Sequence, residues 1–174
     1  MLAVGIGSPH GDDQIGWIVV QELAAVMQGG VNAKAARQPL ELLEWLHDVE
    51  YLIVCDACQS GGAAGTLSRW MWPTASLVTQ NRSGSHDLTL PFVLALAERL
   101  GKLPERVTVW GIELGNALPA RPLSSEVRNA IPRIVQTIAD DLITDSRLKK
   151  VSGTLRNVPD ALFFDSGSEL RHHA

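Results

Sequence analysis

The stretch "YLIVCDA", residues 51–57, restricts the fold more than any other part of the chain. It opens with an unbroken apolar run, so a strand built from it has no face to offer to water. Such a strand belongs in the middle of an α/β sheet, covered on both sides by helices. The flanking sequence agrees. Residues 2–7 (LAVGIG) and 106–113 (RVTVWGIE) read as further buried strands, and residues 31–37 as a weaker one. Between them, Ile15, Ile18, Val19, Leu23 and Val26 recur at helical spacing, closed by Gly29 and Gly30. "PLELLEWLHDVE" reads as a short helix after Pro39, with Leu42, Leu43 and Leu46 on one face. "LTLPFVLALAERLG" reads as a helix with Pro91 in its first turn and Gly101 at its end. A last helix is predicted from about Ser124 to Asp145, on the stripe Val127, Ile131, Ile134, Val135, Ile138 and Leu142. Pro132 should kink it or mark its true start.

One further strand, about Thr66 to Trp72, follows the central strand after only about eight residues. A parallel crossover needs a dozen or more, so this pair is expected to be antiparallel. The predicted fold is a three-layer α/β sandwich: a mixed, mostly parallel five-stranded sheet with helices on both faces. Residues 1–149 are expected to form one domain. Residues 150–174, with scattered charge, Gly, Pro and Ser, read as a loosely attached tail that Phe163 and Phe164 could tether.

Composition narrows the class. The net charge is −4 and charged residues make up 20%, with no basic stripe of the kind nucleic-acid binders carry. Apolar stretches are too short to span a bilayer. The start lacks a signal peptide's basic region and long apolar core, so a cytoplasmic protein without nucleic-acid or membrane partners is expected. Oligomeric state is not encoded in any readable feature.

In such sheets ligands bind beyond the carboxyl ends of the strands. Three polar groups fall at or can reach that edge. "GSPHGDDQIG" after the first strand holds His10, Asp12 and Asp13. "VCDAC" ends the central strand with Asp56. "SGSHDLTL" holds His86 and Asp87, and the loop of residues 73–86 is long enough to return to the edge. Asp13 reads equally as a helix cap. Asp56 is harder to dismiss, because a carboxylate ending a buried strand needs a partner or a solvated cleft. Two carboxylates and an imidazole suit a borderline divalent cation such as nickel or zinc. They equally suit general acid–base work without a metal. His86 alone reads more often as a loop or capping residue. His10 is placed to act behind the ligands, and His47, His172 and His173 have no strand-end context.

Cys55 and Cys58 form a C-x-x-C. In an extended segment residues three apart face opposite ways, a poor geometry for a disulfide or a shared metal. Two small apolar residues near a strand end is the plainer reading. The glycines of "GIGSPHGDD" have the wrong spacing for a dinucleotide fingerprint, and neither a P-loop nor a G-x-S-x-G elbow is present.

Taken in order, "VGIGSPHGDDQIG", "IVCDA…GGAAGTL", "SGSHDLTLPFVLALAERLGKLPERVTVWGIE" and "LSSEVRNAIPRIV" resemble the nickel–iron hydrogenase maturation endopeptidases over about residues 2–143. The resemblance implies an endopeptidase that removes the C-terminal extension of a NiFe hydrogenase large-subunit precursor after nickel insertion. The nickel would be supplied by that precursor, with no other cofactor. By motif, Asp13, Asp56 and His86 would be the metal-interacting and catalytic trio, and Asp12 a structural neighbour. Ser8 stands where Asn is usual in the family, and His10 is an uncommon extra donor. The chain after about residue 150 lies outside the resemblance. A non-catalytic checkpoint protein that binds the loaded precursor on the same fold is the alternative, and a C-x-x-C redox protein a third reading.

Overall fold

The structure, a computed structural model, describes residues 1–74, 89–115 and 122–155, with side chains up to residue 145. Met1–Asp140 make one compact unit and Asp141–Ala174 a second. The described part of the second unit is the continuation of the last helix.

The first unit holds five strands: β1 (Leu2–Ile6), β2 (Asn32–Ala36), β3 (Tyr51–Cys58), β4 (Leu67–Met71) and β5 (Arg106–Glu113). They lie in the order β2-β1-β3-β5-β4, all parallel except β4. The helices are α1 (Ile15–Val26), α2 (Leu90–Arg99) and α3 (Ser125–Leu155), with 3-10 segments at Gly11–Gln14 and Pro39–Glu44. The α/β sandwich with a mixed, mostly parallel five-stranded sheet is therefore the observed fold.

The alternation of side chains along each strand divides the core. Leu2, Val4, Leu52, Val54, Val107 and Val109 face α2 and the Pro39–Glu44 segment, packing against Leu42, Leu90, Val93 and Leu94. The opposite face carries Ala3, Ile53, Cys55 and Trp110, covered by the buried stripes of α1 (Ile15, Val19, Leu23) and α3 (Val127, Ile134, Ile138).

Three details depart from the sequence reading. β4 runs antiparallel, as its short link requires, but its neighbour is β5 and not β3. All eight residues of β3 pair with β5, whereas β4 is a short, half-exposed strand of five. The longer ladder takes the central place, and the short strand serves as an edge. The predicted helix at 39–50 shortens to a 3-10 segment, opened by a reciprocal cap between Gln38 and Glu41. The last helix extends through Leu155, so the first residues of the expected tail are helical. Pro132 lies inside this helix and does not mark its start. Phe163, Phe164, His172 and His173 lie outside the described residues.

Candidate active site

The carboxyl end of β1 runs through Gly7 into the 3-10 turn Gly11–Gln14, and α1 starts directly after it. The turn is locked locally: the Asp13 N–H donates to the His10 carbonyl (3.2 Å), and the Gln14 amide to the Gly11 carbonyl (2.8 Å). What sets the turn against the sheet is the absence of two side chains. A Cβ on Gly5 would lie 2.2 Å from the Gly16 carbonyl oxygen, and one on Gly16 would lie 2.4 Å from the Ile6 carbonyl oxygen. The first turn of α1 thus rests on bare backbone at the ends of β1 and β3. The Trp17 indole N–H, donating to the Ala36 carbonyl at 2.8 Å, fastens the helix to β2 as well.

This contact brings Asp13 close enough for its charge to act on Asp56. Asp56 is half-buried on β3, and its carboxyl is pushed up to about 7. Burial is the larger cause and the charge of Asp13 the next, while the Ala57 N–H pulls the other way. Near neutral pH this repulsion relaxes in one of two ways: Asp56 takes up a proton, or the two carboxylates take a cation. The pair therefore fits general acid–base chemistry and an incoming divalent metal alike. By strand alternation Asp56 lies on the face covered by α2. His86, four residues before that helix in the sequence, lies outside the described residues. Among the described residues no group of three or more His, Cys, Asp or Glu is placed to hold a metal.

Asp12 and Asp13 differ in their surroundings, Asp13 being half-buried. Asp12 is fully buried. Its carboxylate accepts the N–H of Gly115 (2.9 Å), the N–H of Ser124 (2.6 Å) and the Ser124 hydroxyl (2.9 Å). It ties the first loop to the segment after β5 and to the start of α3. His10 is exposed, and its side chain makes no cap bond to the turn it precedes.

Glu113, which the sequence reading passed over, ends β5 and is buried. It accepts the backbone N–H groups of Ser60 (2.8 Å), Gly61 (2.8 Å) and Gly62 (3.2 Å) and the Ser60 hydroxyl (2.6 Å). Burial raises its pKa, but the Ser60 hydroxyl, the Gly61 and Ser60 N–H groups and the Cys58 thiol outweigh that and hold the carboxyl below its ordinary value. The signal that singled out Asp56, an acid at the end of a buried strand, was equally present in "RVTVWGIE".

The cysteines are free. Cys55 pairs across the sheet with Trp110 and Cys58 with Glu113, on opposite faces of β3. Burial, with the charge of Asp56, pushes the Cys55 thiol up to about 12. Burial and the Glu113 charge do the same at Cys58, whose thiol donates to that carboxylate at 3.5 Å. Neither is an activated thiol.

A family model described as hydrogenase maturation protease matches residues 21–141. The chain belongs to the hydrogenase maturation protease family. It is accordingly a hydrolase of the endopeptidase type. The matched span contains Asp56, His86 and Glu113, while Asp13 precedes it. Solved structures agree on the fold. The hydrogenase maturating endopeptidase HybD from E. coli is 23% identical, with a TM-score of 0.68 over 83% of this chain and 92% of that one. A hydrogenase 2 maturation peptidase from a Thaumarchaeota archaeon is 26% identical, with a TM-score of 0.59 over 81% and 96%. The maturation protease HycI from Thermococcus kodakarensis is 20% identical, with a TM-score of 0.59 over 80% and 89%. No curated protein sequence matches the chain. Among the described residues no helix is long and apolar enough to cross a membrane.

Proposed function

We propose that this maturation protease removes the C-terminal extension of a nickel-loaded NiFe hydrogenase large-subunit precursor in the cytoplasm. The nickel arrives with the substrate and serves as the recognition element. The observation that carries this reading is the approach of Asp13 to Asp56 at the carboxyl edge of the sheet, with burial first and the Asp13 charge next raising Asp56 to about 7. A cation brought by the precursor relieves that repulsion. An unloaded precursor offers no such gain, so cleavage follows loading.

Asp13, Asp56 and His86 would complete the coordination of the substrate's nickel, an oxygen, oxygen and nitrogen set that a borderline cation accepts. His86 supports the set by its place in the sequence, just ahead of the helix that covers the Asp56 face. Holding the metal on both sides fixes the scissile bond by proximity. The metal, or one of the carboxylates, would then activate the attacking water or polarise the scissile carbonyl.

The test incubates purified protein with nickel-loaded and nickel-free precursor and reads the subunit mass. Shortening of the loaded form alone is expected. Asp13→Asn, Asp56→Asn and His86→Ala should each slow it by about 100-fold or more. Full processing by all three variants overturns the reading. Binding of the loaded precursor by the wild-type protein without any shortening would leave a checkpoint protein in its place.

A further inference from the structure

Three consecutive residues at the end of β5 each hold a different part of the site's rim. The Glu113 carboxylate gathers Ser60, Gly61 and Gly62 of the β3–β4 loop. The Leu114 N–H donates to the Cys58 carbonyl at 3.0 Å, two residues beyond Asp56. The Gly115 N–H donates to Asp12 at 2.9 Å, the residue before Asp13. Both working carboxylates are therefore fastened, each through a near neighbour in the chain, to one short segment.

We propose that Glu113–Gly115 is a clip that sets the spacing of Asp13 and Asp56, with Glu113 and Gly115 as positioning residues for peptide cleavage. The inference rests on the reading of Asp13 and Asp56 as the working pair. The clip grips the β3–β4 loop twice. The Glu113 side chain holds residues 60–62, and its backbone holds Gly65 (2.8 Å) and Thr66 (2.9 Å). The top of that loop, from Gln59 to Ala63, is exposed, so its order comes from beneath. On the other side Gly115 is hemmed in. A Cβ there would lie 3.1 Å from the Ala64 Cβ, 3.1 Å from the Ser124 Oγ and 3.3 Å from Asp12 Oδ2. One added methyl group presses on the Asp56 wall and the Asp13 wall together, by a few tenths of an ångström each. Satisfying several backbone N–H groups with one buried anion rigidifies a rim that carries few side chains able to pack.

The test compares Glu113→Gln and Gly115→Ala with Gly29→Ala, a control at the far end of α1. Gly29 has φ +88° and open space around it, so alanine there strains the backbone without touching the site. Amide hydrogen exchange and precursor cleavage per folded molecule are measured for each. Glu113→Gln should speed exchange at Ser60–Gly62 and also across the clip, at Gly115 and Ser124. Both clip variants should lose about tenfold or more in the cleavage rate constant at saturating precursor, with KM held within about threefold. Gly29→Ala should melt earlier yet cleave at the wild-type rate per folded molecule. Faster exchange confined to Ser60–Gly62, or wild-type cleavage by both clip variants, overturns the proposal. Should Glu113→Gln not fold, Gly115→Ala decides, by cleavage and by exchange at Ser60–Gly62 and Ser124. A wild-type protein that leaves the precursor uncut overturns the proposed function instead, and the exchange measurement then decides the clip by itself.

Discussion

Replacing Gly16 by alanine probes the contact that brings the two site carboxylates together. The new Cβ would lie 2.4 Å from the Ile6 carbonyl oxygen and 2.5 Å from the Cys55 carbonyl oxygen. Ordinary contact begins near 3.4 Å, so the start of α1 must retreat by about 1 Å. Both obstacles are backbone, and no side chain can rotate away. Overpacking of this kind costs about 1–3 kcal/mol. In a domain of this size each kcal/mol lowers the melting temperature by about 2–4 °C, so a fall of roughly 2–12 °C is expected. The same retreat carries Asp13 away from Asp56, and a misplacement of that order costs about 100-fold in rate. Thermal melts and precursor cleavage, the latter well below both midpoints, separate the two effects. A Gly16→Ala protein that melts early but cleaves at the wild-type rate refutes the link between this contact and the site. One unchanged in both refutes the contact itself.

Asp12→Asn replaces one accepting oxygen with an amide that faces the N–H groups of Gly115 and Ser124; urea denaturation should register a loss of about 1–3 kcal/mol. The raised Asp56 pKa makes the metal-free fold hold a proton more tightly than the unfolded chain does. Its contribution to stability is thus fully present below about pH 3.8 and is lost as pH rises through about 7. Asp56→Asn should flatten that part of the stability-against-pH curve, measured by denaturation at a series of pH values. Cys55 and Cys58, both pushed up to about 12, should alkylate in the native protein at neutral pH on the order of a thousandfold more slowly than in the unfolded chain. Rapid labelling of native Cys58, followed by mass, would contradict this. Cys55→Ser with Cys58→Ser should still cleave the precursor, and loss of cleavage in a folded double variant would revive the thiol reading.

Local features of the chain were legible because local physics decides them. The apolar runs of β1, β3 and β5 could only be buried strands. Gly101, with φ +65°, ends its helix as a glycine does, whereas α1 turns left-handed one residue before Gly29, at Gln28 with φ +46°. The direction of β4 followed from the length of its link. Its neighbour did not, because the competition between β4 and β5 for the edge of β3 is settled by ladder length across the whole sheet. Asp56 stood out because an acid ending a buried strand is costly. Asp13 could be told from Asp12 only through the family resemblance, since the partners that occupy Asp12, Gly115 and Ser124, are more than 100 residues away. Glu113 was missed for a related reason: its donors lie about 50 residues back, in a loop whose sequence reads as a plain turn.

The insertion of β5 between β3 and β4 also bears on how the chain is made. β4 leaves the ribosome with Trp70 and Trp72 and without its pairing strand, which begins about 35 residues later at Arg106. At ordinary rates of synthesis of about 5–20 residues per second, that interval lasts roughly 2–7 s. For that time an aromatic strand with both edges unpaired is open to the wrong partner. The sheet can close only when β5 arrives, so the nascent chain completes its site late, after the walls bearing Asp13 and Asp56 have both been synthesised.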